Sequence, residues 1–225
     1  MWLAGAWAVF LKDARLELRT RFALNALGLF VAAAVFLLRF ALGDVAVTAP
    51  VAAALLWVVI LFAATVGLGR AFVAEEERGT VLLLQLTLRP SAVYGGKLLF
   101  NAALQLALNA VAALLFLVLV GPPVAAPGLL AAVLALGALG LAGATTLLSA
   151  LIARTASSGP LLAVLAFPVL IPLLFSAVRA TRLAFEGGGA ASAWVEAEAD
   201  LTALVGYAGL AVTASFLLFD YVWQD

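Results

Sequence analysis

Three observations predict an all-α integral membrane protein with six transmembrane helices and an N-terminal amphipathic interfacial helix. Hydrophobic residues make up 67% of the 225 residues, charged residues only 11%, and mean hydropathy is +1.22, whereas a soluble domain is nearer to about half apolar. Six apolar runs, residues 22–42, 51–69, 98–120, 128–152, 160–178 and 201–219, approach the roughly 20 residues that cross a hydrocarbon core. Ahead of them, residues 1–21 repeat Leu3, Trp7, Phe10, Ala14 and Leu18 at helical spacing, with Lys12, Arg15 and Arg19 on the opposite face. No internal repeat or soluble module interrupts this order, so residues 1–225 form a single membrane domain.

Charge placement orients the spans. With the N-terminus inside, nine basic residues (Lys12, Arg15, Arg19, Arg21, Arg70, Arg78, Arg89, Lys97 and Arg154) are cytoplasmic, and three (Arg39, Arg179 and Arg182) lie near the other side. Both termini are therefore expected in the cytoplasm. In the N-terminal segment basic residues follow the apolar ones and Asp13 and Glu17 are interspersed, unlike a secretory signal. Glu17 and Arg21 are ordered as a favourable i, i+4 pair.

The interval 75–97, EEERGTVLLLQLTLRPSAVYGGK, is the charge-dense stretch between two long apolar runs. It is expected to be a cytoplasmic loop that receives force from a partner, through Glu75, Glu76, Glu77, Arg78, Gly79, Thr80, Pro90 and Lys97. Gly79 allows a free turn, Leu82 and Leu86 sit one helical turn apart, and Pro90 breaks that helix so that Ser91 caps the next. A second reading stands beside it, in which any inside loop collects charges and turn residues.

Three spans carry more than hydrophobicity. Asn101, Gln105 and Asn109 line one face of the third, either as interhelical hydrogen-bonding groups or as a substrate-lining surface. Gly137, Gly140, Gly143 and Ala144 in the fourth admit close helix approach. Pro168 and Pro172, one turn apart in the fifth, are expected to kink it, as a fixed bend or as a gating bend. Beyond them, residues 179–200 form the largest external piece, read as a loop ending in an interfacial helix held by Trp194.

Several chemistries are disfavoured. The chain has no Cys and no His, which removes thiol nucleophiles, disulfides and the commonest general base and metal ligand. The carboxylates show no metal-ligand spacing, and Gly96-Lys97 is flanked by Ser91 and Leu98 where a phosphate-binding loop needs Gly and Ser or Thr. Neither an enzyme active site nor ATP hydrolysis is expected in this chain.

The order of an amphipathic helix, six spans and an inside loop reading Ala74-Glu75-Glu76-Glu77-Arg78-Gly79-Thr80, then Leu83, Leu86, Pro90, Tyr94, Gly96 and Lys97, resembles the membrane subunits of type-2 ABC exporters. With Phe167-Pro168-Val169-Leu170-Ile171-Pro172 in the fifth span and the short overall length, it is most similar to the CcmB family, haem exporter protein B of cytochrome c maturation. That resemblance implies a homodimeric permease in the bacterial inner membrane. It also implies a separate CcmA-like ATPase docked on loop 75–97, a CcmC-like haem-handling membrane subunit, a CcmE-like haem chaperone, and no nucleic acid partner. No cofactor is expected on this chain, with ATP bound by the ATPase and haem by the partners. Two other functions remain open: export of another cargo, such as a lipid-linked sugar or a drug, and a mechanical or scaffold subunit that transports nothing.

Overall fold

The computed structural model describes residues 2–43, 45–68, 72, 75, 79, 84, 86–152, 158–186 and 188–224. Among these the regular structure is helical: α1 (Trp2–Thr20), α2 (Phe22–Leu42), α3 (Ala49–Leu68), α4 (Pro90–Leu119), α5 (Pro127–Ile152), α6 (Ser158–Phe185), α7 (Ala190–Glu196) and α8 (Glu198–Gln224). Five stretches are long and apolar enough to cross a membrane: Leu24–Leu42, Pro90–Leu119, Pro127–Leu151, Ala166–Phe185 and Glu198–Phe219. Helix α3 is apolar as well over its 20 residues, Ala49–Leu68. The chain is an all-α membrane protein.

The joint between α1 and α2 is a single residue. Arg21 adopts a left-handed conformation, φ 51°, which turns the chain out of α1 and straight into α2. Glu17 does not pair with Arg21; its carboxylate accepts the Leu24 N–H at 2.8 Å. A carboxylate at a helix N-terminus satisfies a donor that has no intrahelical partner and meets the positive end of the helix dipole.

Helix α5 is the centre of the bundle, packing against α8, α6, α4 and α3. Its glycines make this possible: a Cβ at Gly137 would collide with the Trp57 ring, and one at Gly140 with Leu173. The space thus released lets Trp57 lie fully buried, where its indole N–H donates to Thr181 Oγ1 at 2.8 Å and ties α3 to α6. Ala125 and Ala126 donate backbone hydrogen bonds to the Ala184 carbonyl and fix the α4–α5 connection on the end of α6.

Helix α6 is continuous through Pro168 and Pro172. A proline nitrogen gives nothing to the carbonyl four residues back and crowds that turn. In the same turn, the Tyr207 hydroxyl of α8 donates to the Val169 carbonyl at 2.9 Å, giving that stretch of α6 backbone a partner from outside its own helix. The expected external loop is almost wholly helix instead, since α6 runs on to Phe185, α7 starts after Gly189 at φ 96°, and α8 begins at Glu198. Arg179 and Asp200 meet at 3.5 Å across that surface.

Replacing Gly137 by Val is expected to lower stability by about 1–3 kcal/mol through overpacking against Trp57. Gly28, with open space around its Cβ position, is expected to accept Ala with no loss. Thermal midpoints of the two detergent-solubilised variants check both.

Candidate functional site

At the end of the bundle opposite α7, four charged side chains close into a ring. Glu75 Oε1 lies 2.5 Å from Lys12 Nζ and 2.6 Å from Lys97 Nζ. Asp13 completes the circuit, with Oδ1 at 3.2 Å from Lys12 and Oδ2 at 3.0 Å from Lys97. The side chains of Glu75, Lys97 and Asp13 are 2%, 4% and 8% exposed, and Lys12 is 40% exposed, so the water side of the ring is Lys12. Signs alternate around the ring and cancel. That arrangement is what makes its burial tolerable, because an isolated charge loses several kcal/mol of hydration on entering the interior.

The ring joins α1, through Lys12 and Asp13, to the start of the 75–97 interval, through Glu75, and to the first turns of α4, through Lys97. Two glycines of α4 bring α1 this close. A Cβ at Gly96 would sit 2.5 Å from the Ala6 carbonyl oxygen, and one at Gly95 would sit 3.2 Å from the Trp2 ring. The Trp2 indole N–H also donates to Ser91 Oγ at 3.1 Å. Beside the ring is an aromatic cluster of Phe72, Tyr94, Phe216 and Phe219, in which Tyr94 lies 4.9 Å from Phe219 and 5.0 Å from Phe216 between ring centroids. Phe72 is 5.2 Å from Phe219, and its ring centroid is 5.9 Å from Lys97 Nζ. Its backbone N–H donates to Ser149 Oγ at 3.1 Å, so α5 and α8 join the same junction.

This geometry corrects part of what the sequence predicts. Glu75 and Lys97, expected to face a partner, are buried against each other and against α1. Lys12, expected on the solvated face of α1, reaches into the ring. Ser91 does not cap α4; Pro90 is its first residue, Arg89 is the N-cap with an extended backbone, and Ser91 lies within the first turn. Gly79 is exposed with φ 66°, a left-handed turn, while Arg89 is exposed and Pro90 half-buried at the head of α4. Glu76, Glu77, Arg78, Thr80 and Leu82 lie outside the described residues. Asp13 is a member of the site that sequence reasoning did not single out. Its signal was present, since Gly5, Val9 and Asp13 recur every four residues and are the face that α1 buries.

A family model described as CcmB protein matches residues 4–217, from the first turns of α1 to the last turns of α8. The chain belongs to the CcmB family. It is therefore a membrane component of the haem-export ABC systems of cytochrome c biogenesis, a transport family. No curated protein matches the chain.

The polar residues inside the bundle of this CcmB-family protein bind one another. Asn101 donates to Thr146 Oγ1 at 2.7 Å, Gln105 to Asn109 Oδ1 at 2.8 Å, and Asn109 to the Leu134 carbonyl at 2.9 Å. All three are buried between α4 and α5. The Asn101 and Asn109 bonds cross to α5 and hold the two helices together, while Gln105 orients Asn109 from within α4.

Lys97→Met takes one of the two ammonium groups from between the buried Asp13 and Glu75 carboxylates, and is expected to cost about 3–5 kcal/mol. Adding Asp13→Asn removes the carboxylate charge that Lys97 had paired and is expected to restore most of that loss. Thermal midpoints in detergent, with the double variant compared with each single one, measure the recovery.

Proposed function

We propose that this chain is the permease subunit of an ABC-type complex in haem handling for c-type cytochromes, driven through the 75–97 interval by a separate CcmA-like ATPase. The observation that carries this reading is the charged ring. A push on the outer part of the interval reaches Glu75, and Glu75 is tied at once to α1 through Lys12 and to α4 through Lys97. In this reading Glu76, Glu77, Arg78, Gly79 and Thr80 meet the ATPase, Pro90 sets the head of α4, and Glu75 and Lys97 pass the displacement inward. The division of labour follows from burial: a side chain 2% exposed transmits force and does not dock.

Two such chains would be needed to match the two ATPase subunits of an ABC engine, which makes a homodimer the expected form. The positive-inside distribution supports placing the ring and both termini on the cytoplasmic side of a bacterial inner membrane. Haem is assigned to the partners, a CcmC-like membrane subunit and a CcmE-like chaperone, on the chemistry of the side chains available here. Axial ligands are usually His, Cys, Met or Tyr. This chain has neither His nor Cys, one Met at position 1 and three Tyr, of which Tyr94 is enclosed in the aromatic cluster and Tyr207 donates to the Val169 carbonyl.

One observation favours a second reading. Asn101 and Asn109 are engaged by α5 and Gln105 donates to Asn109 within α4, which fits a subunit that transmits ATPase strokes to a partner and carries no cargo itself.

Charge reversal separates a docking loop from a solvated connector. Exposed ion pairs contribute about 0–1 kcal/mol, whereas like charges facing each other in a groove cost several. Glu76→Arg with Glu77→Arg is expected to leave the protein folded and to reduce co-purification of the ATPase at least about tenfold. Glu196→Arg with Glu198→Arg, at the other end of the bundle, is the matched control and is expected to retain the ATPase. Full retention and stimulation of the ATPase by the 76/77 variant would reject the docking role.

A further inference from the structure

Helix α1 divides into three faces. Gly5, Ala6, Val9 and Asp13 are buried against the protein. Leu3, Trp7 and Leu18 are 75%, 55% and 65% exposed, with Trp7 stacked on Phe10 at 4.9 Å. At 100° per residue Leu3, Trp7 and Leu18 fall within about 60° of arc, and Arg15 follows about 60° beyond Leu18, with Arg19 one turn further along the helix. Arg15, Arg19 and Arg21 are all exposed. An apolar strip bordered along one side by arginines is the pattern of a helix seated in a headgroup layer, with its cations at phosphate level.

What makes this face selective is the position of the acids. Asp13 is turned into the ring beside Lys97, and Glu17 is turned onto the Leu24 N–H. Both carboxylates of α1 are thereby withdrawn from the arginine side. Among the described residues none of Arg15, Arg19 and Arg21 forms an ion pair. The end of α1 and the joint after it thus present three arginines with no ion-pair partner among the described residues, an excess of positive charge over the one carboxylate, Glu17, that remains outside the ring. A zwitterionic headgroup layer offers them no net charge; an anionic one does.

From these positions we infer that the outer face of α1 is a binding surface for anionic phospholipid headgroups, with Arg15, Arg19 and Arg21 as the phosphate-contacting residues. The apolar strip supplies affinity for any bilayer, and the arginines supply the preference. Because α1 is joined to Glu75 and α4 by the ring, lipid composition bears on the same junction that serves the proposed ATPase contact, although the lipid preference itself does not depend on that proposal.

The test uses the full chain in nanodiscs of phosphatidylcholine doped with dansyl-labelled phosphatidylglycerol or dansyl-labelled phosphatidylcholine, read by energy transfer from tryptophan. Transfer to the glycerol lipid is expected to exceed transfer to the choline lipid, and the excess is expected to fall as salt rises. Arg15→Gln, Arg19→Gln and Arg21→Gln are each expected to weaken the preference by up to about fivefold, the weight of one cation near an anionic surface. The triple variant is expected to lose the preference while keeping its transfer to the choline lipid. Arg15→Lys with Arg19→Lys keeps the charges and is expected to keep the preference, which separates a charge effect from misfolding. Equal transfer to both lipids in the unaltered protein, or an undiminished excess in the triple variant, would overturn the inference.

Discussion

Two carboxylates and two ammonium groups, buried against one another where α1, the 75–97 interval and α4 meet, are the interaction on which this end of the molecule depends. None of the four would be stable there alone, since the hydration lost on burial is not returned by the interior. Together they form an alternating circuit in which Glu75 Oε1 accepts from both lysines and Asp13 contacts both. The cost of breaking such a circuit is high. That cost adds to the packing of Gly5, Ala6 and Val9 and to the Trp2–Ser91 hydrogen bond in making α1 a fixed part of the bundle.

The close packing around the ring follows from small residues in the right places. Gly95 and Gly96 admit α1 to the head of α4, and Phe72, Tyr94, Phe216 and Phe219 fill the space between the ring and α5 and α8. At the bundle centre Gly137 and Gly140 do the same for Trp57 and Leu173. Each glycine removes a side chain so that a larger one from another helix can occupy its volume. In a bilayer, where lipid tails are as apolar as leucine, that interdigitation and the few internal hydrogen bonds hold helices together.

Much of this was legible in the sequence because membrane crossing and amphipathicity are local signals. Residues 1–21 announced α1 by a spacing that includes Leu3, Trp7 and Leu18, and those side chains do face outward. The buried edge, Gly5, Val9 and Asp13, carries its own four-residue repeat, but its residues are small or charged, and hydropathy finds only the greasier of the two faces. Glu75 and Lys97 were read as outward-facing because charge near a membrane surface normally faces water. Their pairing with Lys12 and Asp13 joins residues more than 60 positions apart, and no local pattern encodes such a partner. The polar face Asn101, Gln105 and Asn109 was legible as a face, but its partners Thr146 and Leu134 came only with the packing of α5.

The central claim is that α1 and the head of α4 move as one body because the ring joins them. In this cysteine-free chain, spin labels placed at Arg15 of α1 and Leu99 of α4, both exposed, report their separation directly by pulsed electron resonance. The account predicts that the distance distribution stays the same when the ATPase partner and a non-hydrolysable ATP analogue are added, while the distance from Leu99 to a label at Trp194, at the other end of the bundle, changes. A nucleotide-dependent change between the labels at positions 15 and 99 would contradict it.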